Sequence, residues 1–127
     1  MIESDVEKLI RVLKLQAEAF LLNAKEFYPF GTYISVEDKI VPVSAYLGNN
    51  HPASSEVIDS LEKTFILKMQ NGESKISAIA IDIVITENNE RYDGVEMRFF
   101  EAHKDVYKKY FKYLIKDTFV EFSTHIV

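Results

Sequence analysis

The chain has 127 residues, 47% of them hydrophobic, and a formal net charge of −5, which fits one globular domain with an adequate core. It contains no cysteine, so disulfide bonds, thiolate catalysis and cysteine-based zinc sites are excluded. The acidic balance disfavours nucleic-acid binding. The lack of cysteine and of a signal-peptide pattern predicts a cytoplasmic protein. No run approaches the roughly 20 apolar residues of a membrane span, so we predict no membrane contact.

The first segment predicts a long amphipathic helix. Apolar residues recur at helical spacing from Val6 to Ala24, behind a Ser4-x-x-Glu7 pattern typical of a capping box. We expect this helix over about residues 4–26, with Pro29 preventing its continuation. Its apolar stripe is wide enough to pack against more than one surface.

A hairpin is predicted after the first helix. Two short strands at about 30–36 and 40–47 flank a turn at Glu37 and Asp38. Pro42 cannot donate a backbone hydrogen bond. We therefore expect its strand at a sheet edge, or its backbone nitrogen on a side that is not hydrogen-bonded.

A second helix is predicted over about residues 54–71. Ser54 or Ser55 is expected to cap it, and the Asn-Gly pair at 71–72 is expected to end it. Helical spacing predicts a buried stripe formed by Ile58, Leu61, Phe65 and Met69.

The rest of the chain predicts antiparallel strands. Isoleucines alternate with smaller or polar residues over 76–86, turn residues follow at 88–89 and 93–94, and another strand is expected at 94–102. Residues 104–116 fit a helix or a strand, and their aromatic and β-branched content favours a strand, with a final strand after them. The order α-β-β-α-β-β-β-β predicts a single α+β domain with a mainly antiparallel sheet and both helices on one face.

Asp82 is the first candidate for chemistry because it interrupts an apolar strand, on the face that carries Ala78 and Ala80. Partial burial would raise its pKa toward values that suit acid–base catalysis. The structural alternative is a cross-strand ion pair. If the strands at 76–86 and 94–102 pair symmetrically about residue 90, Arg98 lies opposite Asp82.

The loop at 49–52 is the second candidate, because free N–H groups at a helix N-terminus can hold an anion. His51 titrates near neutral pH and could assist. The alternative is a plain capping loop in which Pro52 sets the direction of the chain. His51, His103 and His125 do not have the spacing of a metal site, so we predict neither a metal nor a cofactor.

Residues 104–117 combine five lysines with two aspartates and three tyrosines. Surfaces of this composition can stack nucleic-acid bases or bind proteins, whereas the structural alternative is a half-buried strand with lysines in solvent. The acidic remainder of the chain favours a protein partner over nucleic acid. The candidate interface residues are Tyr107, Tyr110, Phe111 and Tyr113.

Four short segments together resemble a group of small bacterial α+β proteins of unknown function. They are Phe-Tyr-Pro-Phe-Gly at 27–31, Val-Pro-Val at 41–43, His-Pro-Ala-Ser-Ser at 51–55 and Ala-Ile-Ala-Ile-Asp at 78–82. The resemblance covers about residues 20–115. It implies that Asp82 and the His-Pro loop are features of the group, and it favours a strand over 106–116. The element order is also similar to the roadblock or profilin-like layout, whose members are mostly scaffolds and regulators, which is an analogy of fold alone.

Two hypotheses of function follow. The first is a non-enzymatic binding protein (a scaffold, a regulator or an immunity-like protein that neutralises a basic surface), with self-association through a sheet edge or the first helix. The wide helical stripe, the tyrosine-rich segment and the lack of a catalytic motif favour it. The second is a small enzyme or ligand-binding domain in which Asp82 acts as acid or base, assisted by His51 and by Tyr33 or Tyr46.

Overall fold

The computed structural model describes residues 2–44 and 53–123. These form one antiparallel sheet with the strand order β2-β1-β3-β4-β5-β6 and two helices. The α+β class and the predicted element order are confirmed, and residues 104–116 contribute a strand. The elements are α1 (Asp5–Ala24), β1 (Phe30–Ser35), β2 (Ile40–Val43), α2 (Ser54–Gln70), β3 (Ser74–Glu87), β4 (Glu90–Glu101), β5 (Tyr107–Ile115) and β6 (Val120–Phe122).

Helix α1 begins at the predicted capping box. The Ser4 hydroxyl accepts a hydrogen bond from the Glu7 backbone N–H at 3.1 Å, and the Glu7 carboxylate accepts one from the Ser4 N–H at 3.3 Å. The helix ends at Ala24. The next residue, Lys25, caps it with a left-handed backbone (φ 63°), and its N–H donates to the Leu21 carbonyl at 2.8 Å. Its fully buried residues are Leu9, Leu13, Ala17 and Leu21.

The predicted serine cap of α2 is wrong. The cap position is occupied by Ala53, which offers no side-chain hydrogen bond, and Ser54 is already helical. For Ser54 to act as the cap, the helix would have to begin at Ser55, one residue later than it does. The buried stripe is also rotated slightly from the prediction: Val57, Leu61 and Phe65 are buried, whereas Ile58 and Met69 are half-buried.

The two helices cover opposite faces of the sheet. Ala78 and Ala80 of β3 pack in the cluster that contains residues of α1, whereas Ile79 and Ile81 pack in the cluster that contains residues of α2. Because successive residues of a strand point to opposite faces, the predicted placement of both helices on one face is wrong. We call the two sides the α1 face and the α2 face. Strand β3 is covered on both, which explains its nearly continuous apolar sequence.

Strand β2 lies at one edge of the described sheet, as Pro42 predicts. At the neighbouring strand, Gly31 lets α2 approach closely, since a Cβ atom there would lie 2.5 Å from the Phe65 ring. Neither α1 nor α2 combines the length and the apolar character that a membrane-crossing helix needs.

Candidate functional site

The pairing of β3 with β4 places Asp82 and Arg98 on opposite faces. Asn88 and Asn89 connect the strands with positive φ angles of 53° and 65°, as in the two-residue hairpin turns that Asn favours. Asp82 therefore pairs with Val95, and Arg98 does not lie opposite it. The predicted symmetry about residue 90 is wrong by three positions along β4, and an odd shift turns a side chain to the other face.

Arg98 forms its ion pairs on the α2 face instead. Its Nε and Nη2 groups donate to Oε2 of Glu96 at 3.0 and 2.7 Å, and its Nη1 group donates to Glu62 of α2. Glu96 is buried. Arg98 therefore neutralises a buried carboxylate and ties α2 to β4, and the predicted ion pair with Asp82 does not form.

Asp82 accepts hydrogen bonds from two segments that are distant in the sequence. The Tyr113 hydroxyl donates to Oδ1 at 2.7 Å, and the Phe27 backbone N–H donates to Oδ2 at 3.3 Å. Tyr113 is only 7% exposed and packs with residues of α1 and β6. Asp82 thus joins the connection after α1 to strands β3 and β5. Each carboxylate oxygen has two lone pairs, so the group can accept further donors.

The surroundings of Asp82 favour its protonated form more than water does. Burial raises the pKa of the Asp82 carboxyl, and the hydrogen bonds from Tyr113 and Phe27 act in the opposite direction. The carboxylates of Asp93 and Glu26 add to the rise. Burial and the Asp82 carboxylate also raise the pKa of the Tyr113 phenol, so Tyr113 keeps its proton at neutral pH and acts as a donor.

A cleft of about 760 Å³ opens beside Asp82. The cleft lies at the end of the pairing between β1 and β3. Strand β1 begins at Phe30, opposite Ala80, so the β3 residues after Ala80 have no described neighbouring strand on the β1 side. We call it the aromatic cleft. Its described lining includes Phe20, Phe27, Tyr28 and Phe30, the carboxylates Asp82 and Glu26, and Asn23, Ala24, Pro29, Ser44, Ser54 and Val57.

The aromatic cleft is suited to binding a cation or an N–H donor next to apolar groups. It presents the accepting oxygens of Asp82 beside aromatic rings, and its described lining contains no lysine or arginine. Within residues 2–44 and 53–123, no three His, Asp or Glu side chains are grouped so that they could hold a metal ion.

The residues predicted to assist Asp82 are not brought together with it. Tyr33 lies on the α2 face, with its ring 6.4 Å from that of Phe65. His51, Tyr46 and the loop at 49–52 lie outside the described residues, as does His125. His103 is exposed in the turn between β4 and β5.

The four predicted interface residues do not share one surface. Phe111 and Tyr113 are 3% and 7% exposed on the α1 face, so they belong to the core. Tyr107 stacks on Phe99 with ring centroids 5.0 Å apart. Tyr110 lies opposite Glu96 of β4, on the α2 face, and is half-buried.

Two parts of the site were not identified from the sequence. The sequence analysis uses residues 27–31 for the end of the first helix, the start of a strand and the resemblance, but not as an apolar surface, although their density of aromatic residues is a signal for one. The contact between Tyr113 and Asp82 depends on how three strands pair, which no local pattern encodes. Comparisons with protein-family models, curated proteins and solved structures found no match.

Proposed function

We propose that the protein is a non-enzymatic binding protein, and that its aromatic cleft accepts a segment of a partner protein that carries a basic side chain flanked by apolar ones. The observation that carries this proposal is the combination of exposed aromatic rings with carboxylates that no described cation neutralises. The proposal keeps the binding function expected from the sequence but uses a different surface.

The aromatic wall supports a protein partner. Tyr28 is 60% exposed and Phe20 is 47% exposed, and large aromatic side chains are typical anchors of protein interfaces. The rings support one another, because Phe30 makes edge contacts with Phe20 and Phe27 at centroid distances of 5.2 and 5.4 Å. A wall that is already ordered loses little conformational entropy when a partner binds.

The charge of the cleft supports a basic segment. Asp82 and Glu26 line it, and Asp93 is close enough to raise the pKa of Asp82. A lysine or arginine side chain placed there would favour the ionised form of Asp82 and offset the effect of its burial. The net charge of −5 would also attract a basic partner from a distance.

The enzyme hypothesis gains less support. Of the residues predicted to act in catalysis, the described part of the structure contains Asp82 and Tyr33, and Tyr33 lies on the opposite face of the sheet. The two hydrogen bonds of Asp82 join segments of the fold. A regulatory or immunity-like role, self-association and a cytoplasmic location remain predictions from the sequence.

Selection from a phage-displayed library of random heptapeptides tests the proposal. We expect enriched peptides to place Arg or Lys next to an aromatic or aliphatic residue. Their binding should fall in Tyr28→Ala and Asp82→Asn. The matched control is Leu67→Ala, which removes an exposed apolar side chain of α2 and should bind like the wild type. Enrichment of acidic peptides, or equal binding by wild type and both cleft variants, would contradict the proposal.

A further inference from the structure

A second groove, of about 540 Å³, runs along α1 where the helix faces β5 and β6. Its apolar lining consists of Ile10, Leu15, Phe111 and Phe122. We call it the Lys14 groove, because the Lys14 ammonium lies 4.2 Å from the centre of the Phe111 ring and 5.8 Å from that of Phe122. It shares no described lining residue with the aromatic cleft.

Lys14 has no carboxylate partner in the described parts of the chain, 2–44 and 53–123. None of their ion pairs or side-chain hydrogen bonds includes it. Burial lowers the pKa of its ammonium group, and no neighbouring carboxylate offsets this effect. The rings beneath it attract the cation only weakly compared with a direct ion pair. The groove thus contains a partly desolvated cation that an anion would stabilise.

The other charged groups that line the groove have partners within the fold, but the backbone N–H partners of Glu7 and Glu18 leave these two carboxylates charged. Arg11 pairs with Glu3 at 3.0 Å. The Glu7 carboxylate accepts from the N–H of Ser4. Glu18 accepts from the Val120 N–H at 2.9 Å. Lys14 is therefore the cation available to a ligand in this groove.

We infer that the Lys14 groove binds an amphiphilic carboxylate, an aliphatic monocarboxylic acid whose head group pairs with Lys14. Its hydrocarbon chain would lie on Ile10, Leu15 and Phe122, while the buried Phe111 ring lies beneath Lys14. The groove is within the volume range of small-molecule pockets, roughly 300–1,000 Å³. A carboxylate head explains the unpaired cation, and an aliphatic tail matches the apolar lining. This inference does not depend on the function proposed for the aromatic cleft.

Calorimetric titration with octanoate, 1-octanol and octylamine, each below the concentration at which it aggregates, tests the inference on the wild-type protein. The three probes share a chain and differ in head group. We expect octanoate to bind at least about tenfold more tightly than the other two, as a charge-assisted hydrogen bond predicts. Octanoate that binds no more tightly than octanol would overturn the inference.

Two variants and a map of backbone amide chemical-shift changes test whether octanoate binds in the Lys14 groove. Lys14→Gln should reduce octanoate affinity to that of octanol, whereas Lys63→Gln, at an exposed lysine of α2, should leave it unchanged. Backbone amide shifts on adding octanoate should centre on Ile10, Lys14 and Phe111. A head-group preference that persists in Lys14→Gln, or shifts centred on Phe27 and Tyr28, would overturn the assignment.

Discussion

The Tyr113 hydroxyl donates a hydrogen bond of 2.7 Å to the Asp82 carboxylate, 31 positions away in the sequence. Through this contact and the Phe27 N–H, one polar side chain fixes the segment that forms a wall of the aromatic cleft. Asp82 therefore has two roles in the aromatic cleft. It holds the cleft in shape, and it supplies the cleft's negative charge.

Removing the donor from this contact should destabilise the fold. Tyr113→Phe leaves a partly buried carboxylate without its best hydrogen bond. We expect the free energy of unfolding to fall by about 1.5–3 kcal/mol, measured by urea denaturation. Tyr92→Phe is the matched control, because Tyr92 makes an exposed contact with Glu90 and should change stability by less than about 0.5 kcal/mol. Equal losses in the two variants would contradict the role given to Asp82.

The raised pKa of Asp82 predicts a particular dependence of stability on pH. Between the ordinary aspartate value of 3.8 and the raised value, the native state binds more protons at this position than the unfolded state does. The contribution of Asp82 to stability therefore decreases as pH rises through that window.

Comparison with Asp82→Asn isolates this contribution from other groups. The unfolding free energy of the wild type minus that of the variant should fall with rising pH and be flat below and above the window. Urea denaturation at a series of pH values measures it. A difference that rises with pH would mean that the hydrogen bonds from Tyr113 and Phe27 outweigh burial.

Removing the Arg98 guanidinium should lower the free energy of unfolding strongly, because its ion pairs on the α2 face are partly buried. Arg98→Met leaves Glu96 buried without its cation, and we expect a loss of about 3 kcal/mol in unfolding free energy. Arg11→Met, which breaks the exposed pair with Glu3, should cost less than about 1 kcal/mol. Chemical denaturation of the two variants compares these costs, and similar losses would show that Arg98 contributes no more than a surface ion pair.

The contact between β1 and α2 depends on the missing side chain of Gly31. A methyl group there would lie 2.5 Å from the Phe65 ring. We expect Gly31→Ala to lower the unfolding free energy by about 1–3 kcal/mol through overpacking. In a Phe65→Leu background the same substitution should cost less, since the obstructing ring is gone. Denaturation curves of the four proteins measure the coupling, and additive losses would contradict the contact.

The local elements were predictable because their signals lie within short stretches of sequence. The Ser4 and Glu7 pair marks the start of α1, and the alternation around Asp82 marks β3. The predicted register of β4 was wrong because the turn is centred between residues 88 and 89 instead of at residue 90, which moves every pair by three positions along β4. The prediction that both helices lie on one face was wrong because β3 is apolar on both sides. Its pattern therefore does not say which helix covers which side.

The candidate site was predictable only in part. Asp82 stood out as a carboxylate in an apolar strand, but its partners come from β5 and from the connection after α1. Tyr113 was predicted as a surface anchor because a tyrosine in an amphipathic strand fits either side of the sheet. Only the pairing of β5 with β4, through Val95 and Phe111, turns Tyr113 toward Asp82.

Backbone amide chemical shifts during titration with the peptide acetyl-Leu-Arg-Leu-amide test the binding function most directly. Acetyl-Leu-Glu-Leu-amide is the matched control probe, because it differs in the charge of its central side chain. We expect the arginine peptide to shift the amide resonances of Asn23, Phe27 and Tyr28, and the glutamate peptide to leave them unchanged. Shifts of equal size with both peptides, or shifts confined to residues outside the aromatic cleft, would contradict the proposed binding function.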